Sequence, residues 1–218
     1  MRAICSATGF ERCIWTDVVL TFALPPYAPG IDRAYFPRTR NATLRMEQNT
    51  EPTTTQQANE PTPHDRLAAM VGEWEGPART WFEPDVLGDE ARWRGSIRLA
   101  LGGLFAIHEY TGTICGEQLE GMAIIGYNRM RKRYEMAWID NNHNGSALMY
   151  CIGGTAAEAP SVLGSYTDPS GGPDWGWRTT LEMPDENTLV ITAYNIPPGG
   201  EDATAIETIY TRQTEGRK

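Results

Sequence analysis

The feature that most limits how this chain can fold is a two-residue hydrophobic period that starts near Trp74 and recurs almost to the C-terminus. Arg92–Leu99 is the clearest stretch. Trp93, Ile97 and Leu99 fall on one face, while Arg92, Arg94, Ser96 and Arg98 fall on the other. The series opens with Trp74–Phe82. After Arg92–Leu99 come Leu104–Thr111, Gln118–Tyr127, Arg133–Trp138, Ser146–Gly153, Ser161–Thr167, Trp175–Met183, Thr188–Asn195 and Ala203–Arg212. Turn-forming residues separate them: Gly102-Gly103, Gly112–Gly116, Asn128–Arg131, Asn141–Gly145, Asp168–Asp174 and Pro197–Asp202. About ten short strands with no helix between them predict an all-β, antiparallel fold. The lack of helical crossovers excludes a parallel sheet. An up-and-down barrel is preferred to a sandwich, because closure hides every edge. Six of the seven tryptophans lie at or after Trp74, and a barrel interior can hold large rings around a cavity.

A short helix is expected before the first strand. Thr62 suits an N-cap, Pro63 the first helical position and Asp65 the first turn, with Leu67, Met70 and Val71 as an apolar stripe ended by Gly72. The predicted organisation is a barrel over 62–213, a leader over 1–61 and a tail over 214–218. In the leader, Ile14–Leu24 is apolar, but Asp17 interrupts it and no small-residue cleavage site follows before Pro25-Pro26, which makes a poor signal peptide. The polar tract from Met46 reads as disordered. Met46 is read as the natural start, with 1–45 a mis-called extension; a degenerate secretion signal is the alternative.

The formal net charge is −9, split into +3 over residues 1–45 and −12 beyond them. An acidic domain repels phosphate, so nucleic acid and anionic membrane surfaces are excluded as partners. No apolar run reaches the ~20 residues of a membrane helix. Cys5, Cys13, Cys115 and Cys151 form no CxxC pair, and the default is thiols in a reducing cytoplasm.

Several motifs resemble a known pattern. Gly72-Glu73-Trp74 on the first strand, with Arg212 on the last, is similar to the calycin signature, which implies a guanidinium stacked on an indole to close the barrel. The domain as a whole resembles the bacterial domain-of-unknown-function family numbered 1579. The matching pieces are His64, Leu67 and Val71–Gly76; Leu101-Gly102-Gly103 and Glu109-Tyr110; Glu120-Gly121 and Ile125–Asn128; Trp138-Ile139-Asp140; and Tyr210-Thr211-Arg212. The resemblance implies a lipocalin-like barrel and no established activity. Asn128, and the loop Asn141–Gly145 with its His143, depart from the family pattern.

Chemistry is sparse. The three histidines, His64, His108 and His143, lack metal-ligand spacing, so no metal site is expected, and His64 reads as a packing residue. The paired glycines lie between strands and read as turns rather than phosphate cradles. In His108-Glu109-Tyr110 the outer two residues face one way and Glu109 the other. If Glu109 faces inward, it is a buried carboxylate needing a partner, for which Arg178 is the candidate. If His108 faces inward, it is a candidate haem ligand, as in the related nitrobindin-type barrels. Asp140 reads as a turn cap, or more sharply as a general base at the barrel mouth. The candidate ligand-binding residues are Trp93, Glu109, Tyr110, Tyr134, Met136, Trp138, Asp140, Trp177 and Arg178. Gly72, Trp74 and Arg212 are assigned to barrel closure, and Trp81, Trp175 and Met149 to the core. The expected function is binding of a small apolar or amphipathic molecule inside the barrel. The alternatives are an enzyme using Glu109 or Asp140, a filled barrel that dimerises through Leu148, Tyr150 and Ile152, and nitrobindin-like haem binding.

Overall fold

A computed structural model describes residues 60–143, 145–153, 159–168 and 170–214. The expectations for the leader before residue 60, for Cys5 and Cys13, and for the tail after 214 lie outside the described residues.

One helix, α1 (Pro63–Ala69), precedes ten strands. These are β1 (Gly72–Glu83), β2 (Val86–Ala100), β3 (Phe105–Ile114), β4 (Glu117–Asn128), β5 (Arg133–Asp140), β6 (Met149–Gly153), β7 (Ser161–Tyr166), β8 (Trp175–Asp185), β9 (Thr188–Ile196) and β10 (Ala203–Gln213). Each strand pairs antiparallel with its neighbour in sequence, and β1 pairs with β10, so the sheet closes into an up-and-down barrel. This is the fold class the hydrophobic period predicts. Among the described residues, no helix is long and apolar enough to cross a membrane.

The elements form for local reasons. Thr62 caps α1 in a reciprocal box, its hydroxyl accepting from the Asp65 amide while the Asp65 carboxylate accepts from the Thr62 amide. The helix is over by Met70, earlier than the Gly72 stop read from sequence. Gly72 instead opens β1 with φ 152°, and a side chain there would collide with the Arg212 guanidinium. Strand β3 runs through Gly112, which the sequence placed in a loop. That glycine stays in the ladder because the Trp93 ring lies where its Cβ would stand, 2.2 Å from the nearest ring carbon.

Alternation decides the core. Trp74, Trp93, Ile97, Ala106, Tyr110, Leu119, Ala123, Ile125, Met136, Trp138, Trp177, Leu181 and Tyr210 all face inward and are buried. Leu99 shares the parity of Trp93 but sits at the end of β2, where it is 38% exposed. Trp81 and Trp175 are half-buried at strand ends rather than in the core, and Met149 is buried.

The end of the barrel under α1 is sealed. The Trp74 indole donates to the Met70 carbonyl at 2.9 Å, and the Arg212 guanidinium carbon lies 4.2 Å from the centre of the Trp74 ring. Arg212 also donates to the carbonyls of Val71, Ala69 and Glu186. One side chain thus ties the end of α1, the start of β1 and the β8–β9 turn to the last strand. Gly72, Trp74 and Arg212, the residues read from sequence as closing the barrel, are in contact here.

Candidate functional site: the barrel interior and its mouth

Above the sealed end, the inward rows leave a cavity of about 70 Å³. Its walls include Trp93, His108 and Tyr110 from β2 and β3, Met136 and Trp138 from β5, Trp177 and Thr179 from β8, and Thr208 and Tyr210 from β10. The space exists because small residues stand opposite the rings: Ala123, Ala193 and the two threonines line it, while Gly95 and Gly121 flank Tyr110 in the ladder. A Cβ on Gly121 would stand 2.2 Å from the Tyr110 hydroxyl, so that glycine lets the phenol lie flat on the wall. The rings form two stacked pairs, Trp93 on Tyr110 at 5.6 Å and Trp138 on Trp177 at 5.4 Å.

Two polar atoms of the lining residues lie out of reach of the space. His108 Nε2 and Tyr210 Oη are buried, and neither meets a hydrogen-bond partner among the described residues. Burial pushes the His108 imidazole down to about 4 and raises the Tyr210 phenol, so both are neutral at pH 7. His108 has a consequence for stability. Between pH 6.5 and about 4 the unfolded chain binds a proton at this position that the folded barrel refuses. Stability therefore falls as the pH drops through that window, by about 3 kcal/mol. Urea unfolding against pH should show the slope, and His108→Phe should flatten it; an unchanged slope in the variant contradicts the assignment.

At the far end, where β5 and β7 finish and β8 begins, a polar network forms the mouth. Asp140 ends β5 with its side chain fully buried. It accepts from the backbone N–H groups of Asn142 (3.1 Å) and His143 (2.7 Å), so it does cap the turn. Its other oxygen lies 2.5 Å from His143 Nδ1. The Tyr110 hydroxyl also bonds to Asp140, and accepts from the Trp138 indole N–H at 2.8 Å. Burial pushes the Asp140 carboxyl up, but the His143 hydrogen bond and charge and the two amides outweigh it, leaving the pKa below 3.8. Burial and the Asp140 charge hold the Tyr110 phenol well above its usual range. His143 leans on both Trp138 and Trp177, at 5.7 and 5.8 Å between ring centres.

The candidate residues therefore divide. Trp93, Tyr110, Met136, Trp138 and Trp177 line one cavity, with Asp140 at its mouth. Glu109 and Arg178 do not join them, and their expected pairing is corrected. Glu109 faces outward and lies 3.6 Å from Arg98; Arg178 faces outward and bonds Asp202 at 2.6 Å. On β3 the inward parity belongs to Ala106, His108 and Tyr110, and a neutral imidazole and phenol are far cheaper to bury than a carboxylate. Tyr134 is buried but lies at the sealed end, edge-on to Tyr127, which in turn meets His64, so neither Tyr134 nor His64 reaches the cavity. Tyr150 and Ile152 lie on the outer wall beside Ile124, Ile139 and Leu163, and Leu148 is 75% exposed just before β6. Cys151 is buried, its thiol pushed up to about 11 by burial, whereas Cys115 lies exposed in the β3–β4 turn.

The cavity, at about 70 Å³, is also well short of a haem macrocycle, so His108 facing inward does not make it a haem ligand. Among the described residues, no group of three His, Cys, Asp or Glu side chains is placed to hold a metal ion. The two residues that sequence reasoning undervalued are His143 and Tyr210. Asp140 and His143 stand three apart across a turn, the one sequence signal for their contact; Tyr210 carried none, because its hydroxyl has no partner to predict.

The family model described as "Protein of unknown function (DUF1579)" matches residues 59–212. This chain belongs to the DUF1579 family. Its matched span contains α1 and the barrel up to the penultimate residue of β10, with both the sealed end and the mouth. A search of curated proteins gave no match to this DUF1579 chain. Among solved structures, it is similar to a protein described as a de novo designed fluorescence-activating β-barrel, at 13% identity and a TM-score of 0.35, covering 67% of this chain and 96% of that one. A likeness that loose has no bearing on what this DUF1579 barrel does.

Proposed function

We propose that the barrel binds a small, mostly apolar molecule in its interior. The observation that carries this reading is an apolar cavity inside the barrel, walled by the stacked pairs Trp93–Tyr110 and Trp138–Trp177.

Size limits the ligand. At about 70 Å³ the space has room for a few waters but is roughly half of the ~150 Å³ engineered cavity that holds benzene. The occupant is then a compact molecule, or the slim end of a longer one that leaves through the mouth. Small ligands gain at most about 1.5 kcal/mol per heavy atom, so one of about five atoms binds no tighter than low micromolar.

A cavity-filling variant gives the test. Ala193 and Ala123 line the space, and Ala193→Leu or Ala123→Leu should occupy it. In a thermal-shift screen of compact uncharged compounds, a binder present at about 100 times its Kd should stabilise the full chain by about 2.7 kcal/mol, several degrees in Tm. Neither leucine variant should respond. If every compound moves the parent and both variants alike, the interior is not the binding site.

A further inference from the structure

The outer wall of the barrel has two unlike halves. On β1, β2 and β10 the outward positions carry ion pairs: Arg79 bonds Glu90 and Glu207, and Arg92 and Arg94 both bond Glu75. On β4 to β7 the outward positions are mostly apolar, where a strand facing water ordinarily turns polar residues outward. Register gathers them into one patch. Ile124, Ala137 and Tyr150 stand side by side across β4, β5 and β6, Ile139 follows Ala137 on the same face of β5, and Ile152 pairs with Leu163 of β7. Ile124, Ile139, Tyr150, Ile152 and Leu163 are each 39–59% exposed. With Phe105 and Leu148 at its margins, the bare apolar surface is roughly 600 Å², the upper limit for a typical monomer.

Charge narrows the choice of partner. The one carboxylate among the described residues of this patch, Glu135, is answered by Arg133 at 3.0 Å, by Asn128 at 3.1 Å and by the Tyr150 hydroxyl. The chain beyond residue 45 carries −12. Two such acidic barrels repel each other over most of their surface, and this neutral face is where they can meet without setting carboxylate against carboxylate. A basic partner gains little here, because the patch offers it no unpaired carboxylate.

We propose that this face binds a second copy of the chain, pairing the β4–β7 walls of two barrels about a two-fold axis. A two-fold contact needs a surface that fits itself. The Tyr150 ring projects beside the small Ala137, so ring and recess lie on one face. The patch supplies most of the ~800 Å² per partner that a stable interface buries, and neighbouring polar residues supply the rest. The inward rows take no part in the contact, so the pairing does not depend on the ligand-binding reading above.

Sedimentation velocity of the full chain, from low to hundreds of micromolar, tests this. The expected result is a concentration-dependent shift from the 24.2 kDa monomer to a dimer. Ile124→Glu and Ile152→Glu each put a carboxylate on the face, and symmetry makes each count twice, so each should weaken association at least tenfold. Both positions are outward and exposed, and circular dichroism confirms that the variants are folded. Thr211→Glu adds the same charge on exposed β10, across the barrel, and should leave the dimer as it is. A parent chain that stays monomeric throughout overturns the proposal, whatever then covers the face, residues 1–59 of the chain included. A dimer that withstands both Ile124→Glu and Ile152→Glu, or that Thr211→Glu weakens as much, also overturns it, as does any assembly larger than a dimer.

Discussion

Replacing Arg212 by alanine is expected to cost about 4 kcal/mol of unfolding free energy and to undock α1. The side chain donates to three main-chain carbonyls, those of Val71, Ala69 and Glu186, and covers the Trp74 ring at 4.2 Å. Hydrogen bonds from a charged donor are each worth about 1.5–3 kcal/mol net, and a partly buried cation on an indole adds about 1. The total is discounted because the guanidinium is not fully buried. Arg212→Lys keeps the charge but has no planar fork, so it should recover less than half of the loss. Urea unfolding followed by tryptophan emission gives both values. A loss within 0.5 kcal/mol for the alanine variant would place Arg212 among ordinary surface residues and remove the closure argument.

The second large effect is at the mouth. Asp140→Ala should destabilise the barrel by about 4 kcal/mol, because it leaves the Tyr110 hydroxyl and two turn amides without their acceptor. The His143 ring, released from a 2.5 Å contact, should also lose its fixed position against Trp138 and Trp177. Near-ultraviolet circular dichroism reports those indoles directly. The pH dependence separates this residue from His108. Asp140 has a folded pKa below 3.8, so its contribution is present above that value and is lost as pH falls through the folded pKa. His108 acts higher, between 6.5 and about 4. Asp140→Asn should therefore flatten only the most acid part of the curve. An unchanged indole signal and a loss below 0.5 kcal/mol in Asp140→Ala would contradict the network.

Much of this fold was legible because a barrel strand has only two faces. Trp93 and Ile97 were assigned to one side by parity alone, and the pairing of Trp74 with Arg212 followed from the calycin-like motif. The helix start was readable because Thr62 and Asp65 form a local hydrogen-bonded box that needs no tertiary context. The interior polarity was not readable. In His108-Glu109-Tyr110 the sequence offers two faces, one with a carboxylate and one with an imidazole and a phenol, and period two does not choose between them. Desolvation chooses, since Glu109 has Arg98 within 3.6 Å at the surface. The contact of Asp140 with Tyr110 joins β5 to β3 across β4, a relation set by barrel register rather than by spacing.

Central to the proposed function is an apolar space among the inward-facing side chains of the barrel, reachable by a small uncharged molecule. Xenon binding followed by NMR tests this most directly, since the atom is neutral and enters dry cavities without needing a hydrogen bond. The parent chain should show one saturable xenon site with perturbed resonances from Trp138 and Ile125, and Ala193→Leu should abolish it. Absence of a saturable site, or a site indifferent to that substitution, would mean that the barrel is filled.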